Sequence, residues 1–263
     1  MIEFLFGNFY YYFLLAMTFL AVVVFIVLQF VTVAYGMTFN NRWGISISSK
    51  KGWVIMEAPV FILMLVMYIY ALVNHICIFN WVTFVFFLLF QLHYFQRSYI
   101  FPALMRGNSK MPLSVVFSGF FFNIMNAYMQ GGWFFYVAPN DYTIAWFWSP
   151  QFIVGTILFF AGMVINMHSD RVIRKLRKDK NDNNYYLPKG FLFDKINSAN
   201  YFGELLEWFA FALLSWSIAG AVFFLWSFAN IVPRSKEVYE RYIQFFGDDF
   251  KKLNRYKIFP FIY

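Results

Sequence analysis

Very little in this sequence could serve the commonest kinds of enzyme chemistry. A single cysteine, Cys77, excludes an intramolecular disulfide framework. Three histidines, His75, His93 and His168, without an HxxxH pair, cannot build a histidine-rich di-iron centre, and no zinc or serine-hydrolase signature is present. There is no GxGxxG after a strand and no P-loop, so any nucleotide is held by something other than a Rossmann or Walker element. Charge is scarce as well. Asp, Glu, Lys and Arg make up 13% of the 263 residues, against about 25% in soluble chains. No metal ligand set and no nucleophile stands out, so the chemistry has to come from a cofactor.

What is abundant is apolar surface. Hydrophobic residues are 61% of the chain and aromatics 25%, with 39 Phe. A soluble domain of this length could not hide so much apolar area. The aromatics suit lipid contact or a pocket for a flat apolar ligand. The amino-terminal MIEFLFGNF carries Glu3 and no basic stretch, and the apolar run behind it is too long for a cleaved signal. It is therefore expected to stay as a span. There is no internal repeat and no low-complexity linker, so residues 1–263 are expected to form one membrane domain.

A spanning helix needs about 20 apolar residues. Suitable runs are Phe9–Tyr35, Trp53–Val73, Phe79–Phe95, Pro112–Tyr136 and Ala145–Met167. A longer run, Tyr201–Val232, is divided by the small residues of SWSIAG, Ser215 to Gly220, and reads as two helices, the second continuing past Pro233. All 21 Lys and Arg fall in 36–52, 96–111, 168–200 and 233–263. Seven spans put every one of them on one side, as the positive-inside rule requires, whereas six would strand the basic tail on the other. The expected fold is thus an all-α integral membrane protein with seven transmembrane helices, N-terminus outside and C-terminus cytosolic. The net charge of +8 follows in part from this topology and gives no reason to expect nucleic acid.

Polar groups within apolar helices are costly, about 2.5–3.5 kcal/mol for a charge at the centre, and so point to function. Glu57 stands one turn into the second run; it is either a functional carboxyl or one hydrated near the interface. His93, Tyr94 and Arg97 close the third run in QLHYFQR. Asn123, Asn126 and Gln130 share one helical face, as an interhelical seam or as part of a site. Asn200, Glu204 and Glu207 share another, where acids also suit a helix N-terminus. Asn166, Asp170, Arg174 and Arg177 form a third stripe, grading from amide through carboxylate to guanidinium. Guanidinium forks suit phosphate, and amide and carboxylate suit a ribose or carboxamide. A nicotinamide dinucleotide has that gradient. A basic helix end anchored on anionic lipid has it too.

Several segments together resemble the steroid 5α-reductase family. YGMTFNNRWG resembles its first cytosolic loop, WVIMEAPVF its W-x-x-x-E-x-P motif and LHYFQRSYIFPALMRG its L-H-Y-x-x-R stretch. GMVINMHSDRVIRKLRK, YYLPKGFLF, SANYFGELLEWFAFALLSW and the final FPFIY are similar to its later motifs. A-N-x-x-G-E-x-x-E-W also occurs in related enoyl-CoA and polyprenol reductases; the early E-x-P and H-Y motifs favour the steroid branch. The resemblance implies NADPH-dependent reduction of the Δ4 double bond of a 3-oxo-steroid. By position, Glu57 and Tyr94, within 1–111, would polarise the 3-keto group. Asn166, Asp170, Arg174, Arg177, Asn200 and Glu204 would hold NADPH, mostly from 145–263. Tyr35, Arg97, Tyr185, Arg234 and Tyr242 are further cofactor contacts on the same footing. Trp53, Phe122, Tyr201 and Trp208 would wall the steroid. No metal is implied.

The chain departs from the family in RSKEVYERYIQFFGDDF, which lacks a His cluster near Val238, and in MRGNSKMP, which leaves Asn108 unassigned. On the chemistry implied, hydride adds at C5, the β-carbon of an enone, and charge develops on the 3-oxygen. Donors held at that oxygen stabilise it. A carboxyl donates only when protonated, so Glu57 is expected to work in its neutral form beside the Tyr94 hydroxyl. The expected partners are a steroid or other lipid substrate from the bilayer and the membrane lipids, with the protein a monomer. The membrane is the endoplasmic reticulum for a eukaryotic source and the cell inner membrane for a bacterial one. The rivals are a sister reductase for an enoyl-CoA or polyprenol, an S-adenosylmethionine-dependent membrane methyltransferase, and a lipid transporter.

Overall fold

The computed structural model describes residues 1–179, 182 and 184–263. Seven long helices carry the described chain: α1 (Asn8–Val27), α2 (Ser49–Val73), α3 (Trp81–Phe95), α4 (Leu113–Gly132), α5 (Pro150–Leu176), α6 (Ala199–Ser215) and α7 (Ile218–Lys251). Each apolar run of the sequence becomes one of them, except Tyr201–Val232, which becomes two. Four, α1, α2, α5 and α7, have the length and hydropathy to cross a membrane. Their apolar side chains point outward as well as inward: Leu15, Phe19 and Ile26 of α1 are all exposed. An apolar exterior around an apolar core marks a membrane protein. The phenylalanines serve both purposes, since Phe86, Phe90, Phe134 and Phe211 are fully buried in the central cluster.

Local chemistry sets the helix ends. Asn80 caps α3 by accepting from the backbone N–H of Val82 at 2.8 Å, and Ser149 caps α5 through Phe152 N–H. The break inside 201–232 falls where the small residues predict it. Trp216 takes a left-handed conformation (φ 48°), and Ser217 starts α7 by accepting from Gly220 N–H at 3.0 Å. The helix then runs through Pro233 to Lys251.

Two boundaries and one element differ from expectation. The first run is helical only to Val27, and 28–35 is not part of the helix. The β-branched Val31, Thr32 and Val33 favour extended backbone, and the Thr38 hydroxyl fixes the chain by donating to Val33 O at 2.6 Å and Tyr35 O at 2.9 Å. This brings Tyr35 against α7. α5 passes Met167 and continues to Leu176, so Asn166, Asp170 and Arg174 share one helix, while Arg177 falls just past its end in extended backbone (φ −78°, ψ 127°). The fold is also not wholly α. Strands β1 (Ser46–Ser48) and β2 (Lys110–Pro112) pair antiparallel, with Ile47 opposite Met111. This ribbon satisfies backbone groups where two inter-helix segments meet.

The tightest helix contact is between α5 and α6. A Cβ added at Gly162 would lie 2.6 Å from Glu207 N and 2.7 Å from Gly203 O, and one at Gly203 would lie 2.7 Å from Gly162 O. Only glycine permits this approach, the close packing that small residues give membrane helices. Gly203→Ala is expected to push the helices apart, at a cost of about 1–3 kcal/mol. A lowered melting temperature in detergent and weaker ligand binding would show it, because Asn166 and Asn200 sit at the same crossing.

Candidate functional site

The site begins where α3 ends. After Tyr94 the helix widens into a π turn over Gln96–Ile100 before the short helix Phe101–Leu104. Such turns often accompany functional residues. Here the turn buries Gln96, Arg97 and Ser98 in succession. The Arg97 guanidinium lies 4.5 Å from the ring centres of both Trp53 and Phe101. It donates to Asp170 Oδ2 at 3.4 Å and faces Glu204 Oε2 at 3.4 Å. A single flat cation therefore ties α3 to α5 and α6.

The stripe on α5 meets the opening of α6 at this point. Asp170 Oδ1 accepts from Asn200 Nδ2 at 3.1 Å, and Asn166 Nδ2 donates to Asn200 O at 2.9 Å. Arg174, on the last turn of α5, and Arg177, just past its end, line the mouth of a cavity. Arg106 Nη1 donates to Arg177 O at 2.8 Å, and Arg177 Nη1 donates back to Arg106 O. Gly107 between them has φ +83°, and a Cβ there would lie 2.6 Å from Arg177 Nη1, so both conformation and space call for glycine.

The cavity is open to solvent on one side and, counted together with its opening, spans about 1270 Å³. Asp170, Arg174, Arg177 and Asn200 line it, as do Tyr35, Tyr185, Arg234 and Tyr242. Arg234 donates through Nε to Tyr201 OH at 2.8 Å and through Nη2 to Tyr35 O at 3.1 Å, with its guanidinium over the Tyr35 ring. Tyr185 OH donates to Gly36 O at 3.1 Å. Asn166, Glu204 and Arg97 stand behind this lining and position it. Trp53 and Tyr201, which the resemblance places on the steroid wall, line this same cavity. The cavity also draws on both parts of the chain, since Tyr35, Trp53 and Arg106 come from the first.

Glu57 and Tyr94 lie beyond Arg97, outside the cavity lining, and α4 holds both. Asn123 Nδ2 donates to Glu57 Oε2 at 3.2 Å and to Met56 O at 2.8 Å. One turn on, Asn126 Nδ2 donates to Tyr94 OH at 2.8 Å. A hydroxyl that accepts in this way keeps its own proton for another acceptor. Amides one helical turn apart on α4 thus hold Glu57 and Tyr94. Gln130, on the same stripe, donates to Ala219 O at 2.9 Å and ties α4 to α7. The stripe is thus site at one end and seam at the other. Aromatic side chains surround Tyr94. Trp208 lies 5.8 Å from it, ring to ring, and Phe223 joins Trp208 to Phe122.

The sequence does not show that His93 and Glu207 pair, with Nδ1 and Oε1 2.8 Å apart, both buried. Each lies in a polar stripe, but nothing local says which stripes face each other. Arg106 and Asn197 also line the cavity without having been singled out. At the mouth, the backbone N–H of Lys178 holds the Asp182 carboxyl below the usual carboxylate range, helped by Asn184 N–H and the Tyr186 hydroxyl. A carboxyl lowered on folding contributes while ionised and loses its effect as pH falls through its folded value. The contacts of Asp182 with Lys178, Asn184 and Tyr186 are therefore expected to loosen below about pH 4, read as faster exchange of the Lys178 and Asn184 amides than of those in α5.

Outward apolar helices, a cavity at their ends lined by charged and aromatic side chains, and beyond it a half-buried carboxyl and a buried tyrosine define a membrane protein with a built site. A family model described as 3-oxo-5-alpha-steroid 4-dehydrogenase matches residues 109–263. The chain is 36% identical over 260 residues to the steroid 5-alpha-reductase DET2 of Solanum lycopersicum, covering 97% of this chain and 96% of that protein. It is 36% identical over 245 residues to the 3-oxo-5-alpha-steroid 4-dehydrogenase 1 of Mus musculus, covering 93% of each. With that of Macaca fascicularis it shares 35% over 230 residues, 88% of this chain and 85% of that protein. The chain belongs to the steroid 5α-reductase family of oxidoreductases.

Proposed function

We propose that this protein reduces the Δ4 double bond of 3-oxo-Δ4-steroids to 5α-3-oxosteroids, with NADPH as the reductant. The observation that carries this reading is the pair Glu57 and Tyr94. Two amides one turn apart on α4 hold the pair at the inner side of the Arg97 network, with the cavity on the other side. A steroid from the bilayer would lie with its 3-oxygen at this pair, among Trp208, Phe122 and the rings of Trp53 and Tyr201.

The cavity lining fits a nicotinamide dinucleotide phosphate in chemistry and in order. Guanidiniums of Arg174 and Arg177 stand at the mouth for phosphate, and Asp170 and Asn200 stand deeper for hydroxyl and amide groups, with Asn166 and Glu204 directly behind them. The rings of Tyr35, Tyr185 and Tyr242 offer stacking, and the buried Arg234 Nη1 has no hydrogen-bond partner among the described residues. The chemistry supplied by the bound cofactor is a hydride for C5. Tyr94 OH and neutral Glu57 donate to the 3-oxygen as negative charge gathers on it, and their fixed placement avoids reorganisation at that moment. The apolar walls exclude water and strengthen both bonds.

In the bilayer we place all seven helices as spans, N-terminus outside and C-terminus in the cytosol, so that every Lys and Arg is cytosolic and the cavity opens to the cytosol. The protein would act as a monomer among membrane lipids, without nucleic acid. It would lie in the endoplasmic reticulum of a eukaryote or the inner membrane of a bacterium. The test is NADPH oxidation by the detergent-purified chain with progesterone or testosterone, with mass analysis of the product. Gain of two hydrogens at the Δ4 bond is expected. Bound NADPH without turnover would shift the substrate to an enoyl-CoA or polyprenol, and failure to bind NADPH would overturn the reading.

A further inference from the structure

The start of α6 carries buried polar atoms that the roles above leave unused. Asn197 and Ser198 stand immediately before the helix, and each is only 2% exposed. Both line the cavity. Neither Nδ2 nor Oδ1 of Asn197, nor Oγ of Ser198, has a hydrogen-bond partner among the described residues. Their backbone is firmly held: Asn197 N–H donates to Tyr256 O at 2.8 Å and Ser198 N–H to Lys257 O at 3.1 Å. The carboxy-terminal segment thus fixes the pair in place.

Ser198 also occupies the N-cap position of α6 without capping it. A serine there ordinarily accepts from the second or third helical N–H. The first turn of this 17-residue helix therefore keeps its partial positive charge uncapped by that side chain. Arg234, whose Nε is on Tyr201 OH in the same turn, adds its unpartnered Nη1 to the cavity wall. Asp170 is the nearby acid, but Arg97 and Asn200 already occupy its two oxygens. Buried hydrogen-bonding groups left unmade are costly. An amide, a hydroxyl, a guanidinium N–H and a helix N-terminus on one wall form a donor set that matches phosphoryl oxygens.

We infer that Asn197 and Ser198, at the N-terminus of α6, form a phosphoryl seat deeper than Arg174 and Arg177, and that it takes the diphosphate bridge of the cofactor. The inference rests on the NADPH reading. It divides the nucleotide between two places. The arginines at the mouth take the outer phosphate, and the start of α6 takes the bridge that sets how far the nicotinamide reaches toward Tyr94.

The experiment measures binding by calorimetry on the full chain in detergent, with NADPH and with adenosine 2′-monophosphate, which lacks the bridge. Asn197→Ala combined with Ser198→Ala is expected to weaken NADPH at least about tenfold and leave adenosine 2′-monophosphate within about twofold. Unchanged NADPH binding overturns the seat, and so does equal weakening of both ligands. Asn197→Asp keeps the side-chain shape and guards against misreading a disturbed fold. A carboxylate facing phosphoryl oxygens should weaken NADPH more than Asn197→Ala does. An equal or smaller loss would overturn the phosphoryl assignment in favour of ribose hydroxyls, which can donate to a carboxylate. A parent protein that binds no NADPH overturns the cofactor reading itself, an outcome distinct from a parent that binds and a double variant that binds equally well.

Discussion

Turnover of a Tyr94→Phe variant is expected to fall by about 10²–10³-fold, the usual cost of removing one oxyanion donor, while NADPH affinity stays within about twofold. The change deletes one oxygen from a side chain that is 3% exposed, and the ring can keep its contacts with Trp208 and Phe90. What is lost is the proton that the hydroxyl has free while it accepts from Asn126. Glu57→Gln should cost less. An amide in the same place can still donate one hydrogen bond, though a weaker one, and Asn123 can still reach an oxygen there. Steady-state kinetics with a steroid and a separate NADPH titration distinguish the two effects. A Tyr94→Phe variant that lost cofactor binding would place Tyr94 in the nucleotide site and remove it from the keto group.

Much of this arrangement can be read along the chain, because it is local. Apolar runs and the placement of Lys and Arg foretell seven long helices, and the small residues from Ser215 to Gly220 mark where the longest run divides. Asn166, Asp170 and Arg174 can be recognised as one stripe because a helix repeats every 3.6 residues, although Arg177, expected on the same stripe, lies just past the helix end. Contacts between stripes cannot be read this way. That Arg97 lies between Asp170 and Glu204, or His93 against Glu207, depends on which helices neighbour each other and at what height, and periodicity is silent on both. The end of α1 is also misjudged from hydropathy. Val31 and Val33 are as apolar as the helix before them, but the chain is held away by Thr38 on Val33 O and by Arg234, far off in sequence, on Tyr35 O. Asn197 is hidden for a different reason. Its importance lies in the absence of partners for a buried amide, which only coordinates reveal.

Arg97→Leu is expected to be the most damaging single change in the chain. Arg97 is 7% exposed and is the cation between Asp170 and Glu204, each 3.4 Å away. Leucine would fill part of the space between Trp53 and Phe101 but leave the buried Asp170 carboxylate and the partly buried Glu204 carboxylate without their cation. Removing one partner from a buried ion pair costs about 3–5 kcal/mol. In a chain of this length that lowers the melting temperature by on the order of 10 °C. Asp170 and Glu204 would also move apart, carrying Asn200 with them, so NADPH binding should be lost along with stability. Adding Asp170→Asn and Glu204→Gln to Arg97→Leu separates the two consequences. Without the unpaired charges the melting temperature should largely return, but binding should not, because the cavity would lack the group that sets its depth. Arg97→Lys should fall between them: the charge remains, but a point ammonium cannot face two carboxylates and stack between two rings as a flat guanidinium does. If Arg97→Leu melted with the parent protein, the three-way tie would have no energetic weight and α3 would be held to α5 and α6 by packing alone.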